Sequence, residues 1–74
     1  MSEDCKRVED LRDGNVFFAP DNEQMFRVHR ARQIECLGQP WVELLVRNVD
    51  LPFSSLLHLI YERGRRVPLA LDRR

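Results

Sequence analysis

Apolar and polar residues alternate most regularly between Trp41 and Arg47. Val42, Leu44 and Val46 fall on one face of such a strand, while Trp41 and Leu45 share the other with Glu43 and Arg47. A strand apolar on one side and half apolar on the other is predicted to sit centrally in a small sheet or barrel. Upstream, Val8 to Leu11 reads as a short first strand, and Asp13-Gly14-Asn15 as a turn, because Gly and Asn tolerate positive φ. Val16 to Ala19 reads as a second strand, with Val16 and Phe18 on the core face and Phe17 on the other. Pro20 stops it and Asp21-Asn22-Glu23 turns the chain. Gln24 to Arg32 is a third strand, with Phe26 and Val28 inward and Met25, Arg27 and His29 outward. Strict alternation would then bury Arg30, so a bulge or bend is predicted near Arg30 to Arg32. Ala31, Ile34 and Cys36 resume the buried side beyond it. Leu37-Gly38-Gln39-Pro40 closes a hairpin onto the Trp41–Arg47 strand.

The period changes after Asn48. Phe53, Leu56, Leu57 and Ile60 fall at i, i+3, i+4 and i+7, which predicts a helix between Asn48 and Gly64. Asp50 is its candidate N-cap, Pro52 fits the first turn, and Gly64 fits the position after the last turn. A shorter helix starting near Ser54 is equally compatible. Its opposite face carries Ser54, Ser55, His58 and Glu62. Val67 to Leu71 is a last short strand, placed at an edge by Pro68.

The order is therefore β-β-β-β-α-β, mainly β with one helix. This plan resembles that of small SH3-like barrels over residues 8–71, a likeness of fold and not of family. The competing arrangement is an antiparallel meander with one packed helix. Both place Val16, Phe18, Phe26, Val28, Val42, Leu44, Val46, Leu56, Leu57 and Ile60 in the core. Residues 1–7 read as a flexible polar tail, and 8–74 as a single small β-rich domain.

Composition narrows this further. The 74 residues are 43% hydrophobic and 32% charged, which fits one globular domain. A chain of this length buries only about 60% of the surface it exposes when unfolded. Net charge is zero but unevenly spread. Residues 1–23 hold seven acids and three bases, and residues 24–74 hold five acids and nine bases. Eleven of the twelve bases are arginine, the cation suited to planar contacts with phosphate and carboxylate. No apolar run approaches a membrane span, and the start of the chain lacks the pattern of a secretion signal. Cys5 and Cys36 are then expected to be reduced thiols in a cytoplasmic protein.

Few residue sets suggest chemistry. Ser54, His58 and Glu62 would line one stripe of a helix and match a hydrolase triad by residue type. A helix interior offers no free N–H groups for an oxyanion, so they read as a solvated face. Cys5, Cys36, His29 and His58 lack the close pairing of a zinc site, and the three glycines form no phosphate loop. No cofactor or metal is expected, and the chain does not read as an enzyme.

The arginines carry more. Arg27, Arg30 and Arg32 cluster with His29 on the third strand, and Arg63, Arg65 and Arg66 follow the predicted helix, with Arg73 and Arg74 near the end. Trp41, flanked by charged residues, has the character of an interface anchor. The binding residues expected from sequence are Arg27, Arg30, Arg32, Trp41, Arg65 and Arg66. The expected function is a small non-enzymatic binding module, similar to bacterial or phage regulators that dock on a larger protein, with the transcription machinery one candidate and self-association as a dimer another. The alternative is direct DNA or RNA binding through the arginine-rich surface.

Overall fold

The computed structural model describes residues 5–70. Glu3, Asp4, Leu71, Arg73 and Arg74 lie outside them. Strand β1 is Cys5–Arg7, at the end of the segment read as a tail, and β2 is Val16–Phe18. Strand β3 is Met25–Cys36, β4 is Gln39–Asn48, β5 is Leu57–Glu62 and β6 is Arg66–Pro68. Strands β2-β3-β4-β5 form an antiparallel sheet curled into a half-barrel. Strands β1 and β6 pair separately, and the chain after β6 reaches β2 through a Phe17–Leu69 bridge. The fold is mainly β.

The inner face of the curled sheet holds the core. Val8, Leu11, Phe17, Ala19, Phe26, Val28, Val42, Leu44, Val46, Tyr61 and Val67 are buried there. On β4, Val42, Leu44, Val46 and Asn48 face inward and the intervening residues face outward, as the alternation predicts. Asn48 is the buried polar exception. Its Nδ2 donates to Gln24 Oε1 at 3.2 Å, and its Oδ1 accepts the Asp50 N–H at 2.8 Å, so its polar atoms have partners.

The predicted β3–β4 hairpin is present, with Cys36 opposite Gln39. Its two-residue turn has positive φ at both centres, 54° at Leu37 and 76° at Gly38. Such turns match the right-handed twist of the flanking strands. Glycine adopts this conformation freely, but a leucine there is strained by about 1 kcal/mol. Leu37 is 97% exposed and so gains no burial in return. Leu37→Asn is expected to raise stability by about 0.5–1 kcal/mol, read as an upward shift in the denaturation midpoint. The predicted irregularity in β3 falls between Val28 and Arg30, leaving His29 as the extra residue. This bulge returns Arg30 and Arg32 to the outer face and turns Ala31 toward the core.

Four expectations are corrected. The helix between Asn48 and Gly64 does not form; Leu57–Glu62 is strand β5, paired antiparallel with β4. Phe53, the first residue of the supposed stripe, is fully exposed, while Leu57 and Ile60 are 44% and 53% exposed. Leu59 and Tyr61 instead pack inward opposite Leu44 and Val42. A half-paired central strand gains more from a β partner than these few apolar residues gain as a helix packed across it.

Residues 49–56 are a turn-rich link, with Ser54 N–H and Oγ both donating to the Leu51 carbonyl. Val8–Asp10 is a single 3-10 turn, not a strand. The faces of β2 are reversed: Phe17 pairs with Phe26 and is buried, while Val16 and Phe18 are half-buried on the other side. Cys36 and Ile34 do not join the core; Cys36 is exposed at the hairpin end and Ile34 is half-buried on the outer face.

Candidate binding face on the sheet

The outer face of the sheet mixes charged side chains with half-buried apolar ones. Strand register sets them in rows. Arg27 lies opposite Arg47. Arg30, Leu45 and His58 form the next row, followed by Arg32, Glu43 and Ile60, then Ile34, Trp41 and Glu62. Strand β4 makes its extensive contacts with β3 and β5, and among the described residues no other element packs extensively across it.

Glu43 is the electrostatic centre of this face. Arg32 Nη2 donates to its Oε1 at 2.8 Å, and His58 Nδ1 meets its Oε2 at 3.0 Å. This links three strands through one carboxylate. The His58 contact first, and Arg32 second, hold the Glu43 carboxyl below the ordinary glutamate range. Glu9 is lowered too, chiefly because it accepts the Gly64 N–H at 2.8 Å. A carboxyl depressed in the folded state contributes stability above its unfolded pKa and loses it as pH falls through the folded value. Acid is therefore expected to lower the melting temperature below the ordinary glutamate range. Glu43→Gln is expected to flatten that acid limb and leave the Glu9 part of it, as melts across acidic pH will show.

A second feature lies at the other end of the face. Arg27, His29, Arg47, Asn48, Val49 and Pro52 line an open cavity of about 240 Å³. Among the described residues no carboxylate lines it. Arg27 and Arg47 are direct cross-strand neighbours, where like charges are unfavourable. Arg47 Nε is buried without a hydrogen-bond acceptor, and among the described residues Arg27 Nη1 has a single, long 3.5 Å contact, to the Gly14 carbonyl. A single oxyanion seated between the two guanidiniums would offset their like-charge opposition.

The structure brings together four of the six residues expected from sequence, Arg27, Arg30, Arg32 and Trp41, on this one face. Arg65 lies beside it, lining a shallow groove with Asp21, Trp41, Ile60, Tyr61 and Glu62. Arg66 stands apart, opposite Arg7 in the β1–β6 pair. Sequence reasoning set Arg47 and Glu43 on the face of Trp41 but not among the binding residues, and it missed His58 as a member of this face. Arg47 was legible as an outward residue of the central strand, but its pairing with Arg27 depends on the bulge register. His58 had been assigned to a helix.

Ser54, His58 and Glu62 are not assembled: Ser54 is in the link, and His58 and Glu62 lie four residues apart on a strand, about 13 Å at strand spacing. Among the described residues no group of three His, Cys, Asp or Glu side chains is placed to hold a metal, and no helix is long and apolar enough to cross a membrane. Comparison of the chain with protein-family models, curated proteins and solved structures finds no match.

Proposed function

We propose that the chain is a non-enzymatic cytoplasmic binding module of SH3-like barrel plan that docks on a larger protein through the outer face of β3, β4 and β5. The observation that carries this reading is the uncovered central strand β4, which presents Trp41 between Ile34 and Glu62 and Leu45 between Arg30 and His58. A half-buried Trp beside Ile34, Glu62 and Arg65 has the composition of an interface hot spot. Arg32 and His58, both bound to the Glu43 carboxylate, are already oriented, so docking orders few further side chains there. The cavity between Arg27 and Arg47 then takes a carboxylate of the partner. A regulator of the transcription machinery is one role such a module would fill.

A second reading is favoured by that cavity alone. Two opposed arginines without a lining acid suit a nucleic-acid phosphate equally well. The two readings separate in a tagged pull-down from host lysate with and without nuclease. A stoichiometric protein retained after nuclease supports docking. Recovery lost with nuclease, together with affinity that falls by about 0.9 log units per log unit of salt for each phosphate neutralised, supports nucleic acid.

A further inference from the structure

Among the described residues no strand pairs with the second edge of β5, and the hydrogen bonds at its ends set its phase. Arg63 N–H donates to the Pro40 carbonyl, and Val49 N–H donates to the Met25 carbonyl. On β4, even-numbered residues therefore bond to β5 and odd-numbered residues to β3. On β5, residues 57, 59 and 61 bond inward to β4, and His58, Ile60 and Glu62 turn their N–H and C=O groups outward. The Glu62 carbonyl accepts the Arg65 N–H in the following turn, and it retains a second lone pair. Natural sheets blunt such edges with proline, lysine, bulges or a covering element. The β6 segment carries Pro68, β2 is bridged by Leu69, and β3 bends at its bulge. The β5 sequence Leu-His-Leu-Ile-Tyr-Glu has none of these devices.

We propose that β5 is the dimerisation edge of this protein, pairing antiparallel with β5 of a second copy about a two-fold axis at Ile60. The sequence is self-complementary in this register. Ile60 meets Ile60 of the second copy, and both pairs formed by His58 and Glu62 of the second copy set an imidazole against a carboxylate on the outer face. On the inner side Leu59 meets Tyr61 of the second copy. The outward backbone groups of 58, 60 and 62 are those that a ladder in this register would satisfy. Asp21, in the groove beside Glu62, adds a second carboxylate to the corner that receives the imidazole.

The two-fold runs normal to the sheet, so both outer faces point the same way and two copies of Trp41 and of the Arg27–Arg47 cavity share one surface. This inference rests on backbone phase and charge at the β5 edge, and holds whatever the outer face binds.

Sedimentation velocity of the full chain, from low micromolar to near-millimolar concentration, is expected to show a monomer–dimer equilibrium. Ile60→Pro is expected to abolish the dimer while keeping the fold, because the Ile60 N–H makes no bond to β4. Glu62→Arg, which sets a cation against the imidazole in both pairs, is expected to weaken it about tenfold. Register is read by disulfide trapping in a Cys5→Ser, Cys36→Ser background. Ile60→Cys is expected to cross-link to itself, since directly opposed residues have Cα atoms about 5.5 Å apart. His58→Cys is expected not to, because its counterpart lies about four residues away along the ladder. A monomer at every concentration, a dimer indifferent to Ile60→Pro in a folded variant, or equal cross-linking at positions 58 and 60 would overturn the proposal.

Discussion

Phe17→Ala is expected to unfold the domain, whereas Phe18→Ala is expected to leave it folded. Phe17 is fully buried, with its ring centroid 6.2 Å from that of Phe26. It also pairs with Leu69, which joins the β1–β6 end of the chain to the main sheet. Truncating a buried phenylalanine costs about 3–5 kcal/mol in transfer free energy and residual cavity. A core in a chain of this size rarely supplies more than about 3–5 kcal/mol in all, so the loss is comparable with the whole stability. Phe18 is half-buried on the opposite face, so its truncation is expected to cost about 1 kcal/mol, a small part of a full side-chain burial. Urea denaturation of both variants checks the pair. If Phe18→Ala were the costlier substitution, the facing of β2 described above would be wrong by one residue.

Trp41→Ala is expected to abolish capture of a protein partner while the chain stays folded. Hot-spot aromatics near the centre of an interface contribute at least about 2 kcal/mol, which is roughly a thirtyfold loss of affinity. Trp41 is half-buried on the outer face and is not part of the buried core, so the melting temperature is expected to fall only modestly. The loss is expected to change little with salt, because the contact is apolar. Arg27→Ala is expected to act differently, with an effect that shrinks as salt rises, since it removes a charge partner at the rim of the same face. Affinity retained in Trp41→Ala but lost in Arg27→Ala would count against protein docking through this surface and in favour of phosphate recognition in the Arg27–Arg47 cavity.

Local signals in the chain were enough for its central hairpin. Alternation from Val42 to Val46, a turn opening at Leu37-Gly38 and an irregularity in the third strand each follow from sterics or pairing within a few residues; all three are present, with the bulge at His29, just before the expected Arg30 to Arg32. The arginines of β3 were legible as an outer-face cluster for the same reason. Two matters were not local. Val16-Phe17-Phe18 is apolar at every position, so its own pattern does not say which face is buried; the pairing of Phe17 with Phe26 decides it. Residues 53–60 fit a helical stripe, while Leu57, Leu59 and Tyr61 alternate as a strand would, and so short an apolar run does not decide between them.

The sequence by itself determined a small, mainly β chain built on β3 and β4, with arginine and Trp41 facing outward. Tertiary structure alone decided that β5 is a strand, because the inner half of β4 needs Leu59 and Tyr61 beside it and the backbone of β4 needs hydrogen-bond partners along its second edge. That choice also carries His58 onto Glu43 and leaves the outward edge of Leu57–Glu62 open.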